Sequence, residues 1–360
     1  MPVNKIVKHI AILSPSFPDQ ENNGNMVPPL QLFVAQLKTT FPAVEISVVT
    51  LHYPFYTQSY KLFGITVYPS GGANGPLVKR PLVWRRAYHN LKALHKANPI
   101  DLIHSFWLGE SALLGQKFSQ KYKLPHFCTL MGQDAKKTNN YLPFLRLSHI
   151  QLIALSRFQK EVLERHTKAQ VEAVIPWGIA TADVVFSAKD NRPIDLICVS
   201  SYIPLKRVDL FIDLVAQLKI SFPDIKAVIV GGGVLEETLR KQINHLDIAE
   251  QIQLLGAISR QEVLALMQQS KALIHTSSYE AQGYVINEAL AMGCEVFALS
   301  KGFVMPDSKL HLSDSSDTLK SSVVSYLLQE QKDFDSHIPL SMDDTIAQYQ
   351  SIFKKEGLIL

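Results

Sequence analysis

H-T-S-S-Y-E-A-Q-G-Y-V-I-N-E-A-L-A-M-G, His275 to Gly293, is the stretch whose reading decides the fold of this 360-residue chain. The apolar run Ala272–Ile274 just before it reads as a short buried strand. Gly283 opens a helical pattern and Gly293 closes it, glycine being the residue that tolerates the left-handed turn at a helix end. Glu280 is therefore expected on the loop leaving a strand, and Glu288 about one turn inside the next helix. Between them the amides of Gly283, Tyr284 and Val285 would stand at a helix N-terminus, where N–H groups and the dipole favour a phosphate. With one carboxylate in reach of a sugar hydroxyl and the other of a ribose, the stretch outlines a nucleotide-sugar site.

Outward from this stretch, strand-like runs alternate with helical ones in both directions, the pattern of parallel sheets with crossover helices. One series runs from His9–Leu13 through Leu102–Ser105 to Val171–Ile175. A second runs from Leu196–Ser200 through Ala227–Val230 and Ile252–Leu255 to Val296–Leu299. The stretch Pro176–Pro193, with its prolines and weak patterning, reads as a linker. The expectation is a first domain over residues 1–180, a second over 190–340, and a closing helix within 341–360. In that last helix Ile346, Tyr349, Ile352 and Phe353 fall on one face.

Composition narrows the class. A hydrophobic share of 47% with 19% charged residues fits a globular chain and excludes global disorder. No run approaches the roughly 18 uninterrupted apolar residues of a membrane span. The N-terminus, with Pro15 and Pro18 close behind its apolar run, reads as a first strand and not as a signal peptide. Cys128, Cys198 and Cys294 have neither disulfide nor metal-ligand spacing, which fits a reducing cytoplasm. The net charge of +4 divides into +10 up to Ala188 and −6 beyond it, so the two halves are expected to meet different partners. No nucleic-acid module accompanies the basic half, and nucleic acid is not expected as a partner.

The 275–293 stretch resembles the E-x7-E motif of retaining glycosyltransferases of family 4, whose GT-B fold sets two Rossmann-like domains facing across a cleft with a C-terminal helix returning to the first. Glu280 and Glu288 are the motif carboxylates, followed by Ala289, a small-residue stretch, Gly293 and a strand. The resemblance implies an α/β enzyme that moves a sugar from a nucleotide diphosphate, UDP- or GDP- in the first instance, to a hydroxyl of a glycan or lipid-linked acceptor. Neither a metal nor another cofactor is implied. It also implies a cation loop, found here as S-S-Y-I-P-L-K-R, in which Lys206 matches the family's diphosphate lysine. Ser201 stands where the family has arginine, and Arg207 where it has glycine. Serine cannot replace an arginine's bidentate fork. Gly231 and Gly232 of the V-G-G-G turn, and Gly24 with Asn25 in the loop after the first strand, match glycine turns near the donor.

The acceptor half departs from the family in T-L-M-G-Q-D, where Met131 replaces a histidine near the transferred sugar. Methionine cannot shuttle a proton, so His104 at a strand end and Asp134 after the next strand are the expected acceptor-side groups. Residues 79–96 form a basic amphipathic helix, with Trp84, Tyr88, Leu91 and Leu94 on one face. That pattern suits both packing on the sheet and docking on the inner, anionic face of a membrane. The lost arginine and histidine equally suit a non-catalytic GT-B protein that binds a nucleotide-sugar or partners an active transferase.

Overall fold

The computed structural model describes residues 5–20, 28–76, 78, 80–181, 184, 192–299 and 307–360. The chain divides into two compact units, Met1–Trp177 with Met342–Leu360, and Gly178–Ser341. Among the described residues no helix is long and apolar enough to cross a membrane.

The first unit holds, in chain order, β1 (Lys5–Ile6), β2 (His9–Ser16), α1 (Pro28–Thr40), β3 (Glu45–Tyr53), β4 (Tyr60–Leu62), β5 (Ile65–Pro69), α2 (Arg80–Ala97), β6 (Leu102–Phe106), α3 (Glu110–Tyr122), β7 (His126–Thr129), β8 (Gln151–Ala154), α4 (Arg157–Glu164) and β9 (Val171–Val174). Its sheet runs β4-β5-β3-β2-β6-β7-β8-β9, parallel throughout except for the β4–β5 pair. The central strands are buried almost along their whole length, β6 at every residue. Helices cover both faces of such a sheet, so its strands read as apolar runs and not as alternating ones. One face packs Leu91 and Leu94 of α2 with Phe118 of α3 against Leu13, Val49 and Ile103.

The second unit holds β10 (Ile194–Val199), α5 (Val208–Leu218), β11 (Ala227–Val230), α6 (Glu236–His245), β12 (Ile252–Gly256), α7 (Arg260–Gln268), β13 (Ser270–His275), α8 (Tyr284–Ala291), β14 (Glu295–Leu299), β15 (Leu310–Ser313) and α9 (Ser316–Leu327). All pairings are parallel, in the order β12-β11-β10-β13-β14-β15. Numbered from the unit's own first strand this is 3-2-1-4-5-6, the doubly wound Rossmann order. Buried side chains of α5, α6 and α9 fill one face of the sheet, and those of α7 and α8 fill the other. From α5 alone Val208, Phe211, Ile212, Leu214, Val215 and Leu218 are buried, each stabilising the unit by roughly 1.5–3 kcal/mol over an exposed position.

The chain then returns to the first unit as α10 (Met342–Lys355) and β16 (Leu358–Ile359), which pairs in parallel with β1. Met342, Ile346, Tyr349 and Phe353 of α10 are buried. Phe33 of α1 stacks on Trp177 at 5.0 Å and meets Tyr349 edge-on at 4.8 Å. A hydrogen-bond chain anchors the helix: Trp177 Nε1 donates to the Tyr349 hydroxyl at 3.1 Å, which lies 2.8 Å from Thr129 Oγ1.

Candidate active site

In the second unit the strand order reverses between β10 and β13, and loops leaving such a point on opposite faces open a crevice for ligands at the carboxyl edge. Residues 200–207 follow β10 and residues 276–283 follow β13. The two loops are tied together. Thr276 Oγ1 donates to the Lys206 carbonyl at 3.0 Å, and Ser278 donates through both amide and hydroxyl to the Leu205 carbonyl.

Those bonds fix Lys206 so that its Nζ donates to Glu280 Oε1 at 2.5 Å. His275, the last residue of β13, brings its Nε2 to 2.9 Å from the same oxygen. A carboxylate only accepts, so that nitrogen carries the proton. Among the described residues Glu280 Oε2 receives no hydrogen bond. Burial, which would raise the carboxyl, is outweighed by the hydrogen bond from His275 and the ammonium of Lys206. Together they hold Glu280 at about 2. The result is an ionised carboxylate with one oxygen engaged and one open.

Lys206 precedes the N-terminus of α5, where the helix dipole disfavours a cation. Glu280 is the anion that offsets this. Arg207, at the N-cap with a left-handed φ of 49°, is half-exposed and bonds Asp209 two residues on. Ser201 is exposed on the same loop.

Gly283 is the N-cap of α8, at φ 72° and ψ 53°, and as a glycine it brings no side-chain cap of its own to that helix start. At the other end, Gly293 N donates to Leu290 O and Cys294 N to Ala289 O, both at 2.9 Å. These are the paired bonds of a Schellman stop. Glu288, inside α8 and buried, accepts from Arg260 Nε at 2.7 Å. Arg260 opens α7 behind a Ser259–Glu262 capping box.

Sequence reading missed Arg260 and His275, although the capping box marked the helix start beside the one and Glu280 lies five residues after the other. It missed Arg192 as well. This buried guanidinium donates to the carbonyls of Ser270 and Met292 at 2.7 and 2.8 Å and to that of Met267 at 3.3 Å. It so gathers the C-terminal ends of α7 and α8, the helices that carry Arg260 and Glu288.

The glycine turn is corrected in part. A Cβ on Gly231 would stand 1.8 Å from the Ser200 carbonyl oxygen, at φ 144°, and one on Gly233 would stand 2.6 Å from the Tyr202 carbonyl oxygen. Both glycines serve the close packing of this turn on the loop after β10. Gly232 meets only Ala257, at 3.5 Å, and keeps room for a ligand. Gly24 and Asn25 lie outside the described residues.

The two acceptor-side groups are both enclosed by their own unit. His104 is fully buried, stacked on Phe106 at 4.5 Å, with its Nε2 2.9 Å from Thr129 Oγ1. Burial, with His126 nearby, pushes it down to about 3, so it stays neutral inside the anchor of α10. The carboxylate of Asp134 accepts from the amides of Gly132 at 2.7 Å, Leu108 at 2.8 Å and Met131 at 3.2 Å. Burial raises this carboxyl above its ordinary value against the pull of these amides, and its lone pairs are given to the loop backbone.

The carboxyl edge of the first unit does hold a polar cluster that sequence reading did not single out. Glu110, buried at the start of α3, accepts from Arg80 Nη1 and the Tyr141 hydroxyl at 2.7 Å on Oε1. Its Oε2 accepts from Trp84 Nε1 at 2.6 Å, with His52 Nε2 at 3.4 Å. Burial is again outweighed by these donors, and Glu110 is held at about 2.

Comparison with known proteins agrees with this architecture. Residues 181–306 match the family model described as glycosyl transferases group 1. An uncharacterized glycosyltransferase of Methanocaldococcus jannaschii is 25% identical over 222 residues, and the match spans 60% of either chain. Sucrose-phosphate synthase from Thermosynechococcus elongatus superposes with a TM-score of 0.77 at 15% identity, covering 97% of this chain and 99% of that one. Anabaena HepE, solved in complex with UDP and glucose, superposes at 0.68 with 19% identity, covering 96% and 95%. The fold is GT-B, and the family match supports a glycosyltransferase.

Proposed function

We propose that this protein is a nucleotide-sugar-dependent glycosyltransferase of the family 4 type, transferring a sugar with retention to a hydroxyl of a glycan or lipid-linked acceptor in cell-surface glycan or glycolipid synthesis. The observation that carries the proposal is the Lys206–Glu280–His275 constellation at the reversal point of the second unit's sheet, beside the helix start at Gly283. A neighbour of the same fold solved with UDP and glucose supports a UDP-sugar as the first donor to try.

In this reading the bond between the anomeric carbon and the diphosphate oxygen breaks, and the acceptor oxygen bonds to the same face of the sugar. The acceptor proton passes to the departing phosphate oxygen. What the protein must supply is stabilisation of the charge that develops on the diphosphate. Lys206 and the first-turn amides of α8 supply it, while Glu280 Oε2 accepts from a sugar hydroxyl. Glu288, held by Arg260, accepts from the ribose. Lys206 exchanges part of its bond with Glu280 for the phosphates when donor arrives. Helix α2 brings its cations to the inner face of a membrane.

Incubating the protein with UDP-, GDP- and ADP-sugars, with and without sugar and lipid acceptors, tests the reading. Release of nucleoside diphosphate and an NMR anomeric signal matching the donor's configuration are the expected results. The exposed Ser201 in place of the family's arginine favours a second reading, donor binding without transfer. Saturable donor binding with no turnover on any acceptor would select it.

A further inference from the structure

Two neighbouring aromatic side chains of the first unit lie open to solvent, Phe55 63% and Tyr56 43% exposed. They belong to residues 53–60, where the chain leaves the carboxyl end of β3. Both rings are held in place. Phe55 meets the ring of Tyr53 edge-on at 5.1 Å, and Tyr56 meets that of Tyr60 at 6.1 Å. Each bracing tyrosine is tied in turn to the segment after β2. The Tyr53 hydroxyl donates to Asp19 Oδ1 at 2.9 Å, and that of Tyr60 to the Pro18 carbonyl at 2.6 Å. Gly71, at φ 64°, backs the loop from its other side. A Cβ there would stand 3.3 Å from the carbonyl oxygens of both Phe55 and Tyr56.

The place is one where ligands bind. β2 lies where the strand order of the first sheet reverses, with β3 on one side and β6 on the other. Open α/β sheets take their ligands beyond the carboxyl ends of the strands at such a point.

The composition of the loop names the kind of ligand. Residues 53–60, Y-P-F-Y-T-Q-S-Y, carry no charge, so the loop gives an ionic partner nothing to pair with. Thr57, Gln58 and Ser59 are exposed beside the rings, and their hydroxyl and amide groups both donate and accept. The faces of the aromatic rings carry the negative side of a quadrupole, while the C–H groups on one face of a pyranose are polarised positive. Rings for the C–H groups, with hydroxyls and an amide for the O–H groups, are the complement of an uncharged sugar. A protein interface engages about 20–30 residues a side, far more than this one loop presents.

We infer that residues 53–60 form a glycan-binding subsite, in which a pyranose stacks on Phe55 and Tyr56 and its hydroxyls meet Thr57, Gln58 and Ser59. That this glycan is the acceptor rests on the transferase reading. The binding itself needs neither donor nor transfer, so the two fail separately.

The test uses the full chain without donor, in saturation-transfer NMR. Its probes are the methyl glycosides of glucose, galactose, mannose and N-acetylglucosamine. Ring C–H protons of at least one glycoside should take up saturation, and sorbitol, which has the hydroxyls but no ring, should not. F55A/Y56A should weaken that glycoside's binding by about 10-fold, the scale of losing two ring contacts. F55W/Y56F, which keeps both rings, should bind as wild type does. Both variants should melt with wild type, because the changed side chains are exposed. Once a donor is in hand, F55A/Y56A should raise the KM for the acceptor more than that for the donor, and equal rises would overturn the acceptor role.

Three results overturn the subsite itself. They are saturation of sorbitol equal to that of the glycosides, no saturation of any of the four, and a glycoside bound as well by F55A/Y56A as by wild type. Self-association that F55A/Y56A abolishes, with no glycoside bound, would assign the loop to a second copy of the chain instead.

Discussion

Two glutamates, one buried and one half-buried, stand at corresponding places in the two units, each beyond the carboxyl end of the strand beside its sheet's first long strand. Glu110 follows β6, next to β2, and Glu280 follows β13, next to β10. Donors hold both carboxyls at about 2 against the pull of burial. The difference lies in the oxygens. Glu110 has donors on both, whereas Glu280 gathers Lys206 and His275 on Oε1 alone. A saturated carboxylate closes a structure, and a half-saturated one is set to take a ligand hydroxyl.

The largest effect expected from this contrast is on stability. Glu110→Ala should cost about 3–5 kcal/mol, because removing one partner of a buried ionic cluster strands the others. The shift in denaturant midpoint measures it. A loss under about 1 kcal/mol would place Glu110 with exposed pairs and erase the contrast.

Glu280→Gln should instead spare the fold and lower transfer by about 10²–10³-fold, the scale of losing one preorganised contact to developing charge. Steady-state rates with the donor identified by the screen check this. Unaltered turnover would leave Glu280 as a brace like Glu110.

Acidification separates the carboxylates from the buried histidines. His104 and His126 are each depressed to about 3, burial being the first cause, so the unfolded chain takes up their protons first. Stability should therefore fall as pH drops from about 6.5 toward 3, with a slope approaching two protons. Glu110 and Glu280 add their loss only below about 4.5, where the unfolded carboxylates begin to protonate. Denaturant midpoints measured from pH 7 to 4 in wild type and His104→Gln should differ in slope by close to one proton. Parallel profiles would mean that His104 titrates freely.

The smallest effect concerns the exposed Ser201. Because Arg207 is engaged by Asp209, Ser201→Arg meets no competing guanidinium and should tighten donor binding by about 1 kcal/mol, the net value of an added hydrogen bond. Weaker binding on calorimetric titration would show that the loop is already filled.

The second unit was legible because its devices are local. Gly283 and Gly293 bracket a helix through their own backbone needs, and they fix the loop carboxylate Glu280 and the helix carboxylate Glu288 on either side of its start. The first unit's polar chemistry was not. Glu110 meets Trp84 and Tyr141 across 26 and 31 residues of chain, and nothing in the local sequence announces such convergence. The enclosure of His104 and Asp134 was hidden for the same reason. Strand-end position suggested exposure, while Tyr349, 220 residues past Thr129, completes the network that seals His104 in. Asp134 looked free because backbone amides leave no trace in sequence.

The central claim is that Glu280 Oε2 is kept open for the sugar of the donor while Lys206 serves the diphosphate. Calorimetric titration of wild type and Glu280→Gln with UDP and with UDP-glucose tests it most directly. UDP should bind the variant at least as tightly as wild type, since Lys206 is released to the phosphates. The affinity that UDP-glucose gains over UDP in wild type should vanish in the variant, by about 1–3 kcal/mol for a charge-assisted hydrogen bond. A variant that loses UDP and UDP-glucose equally, or keeps the full difference between them, would contradict the account.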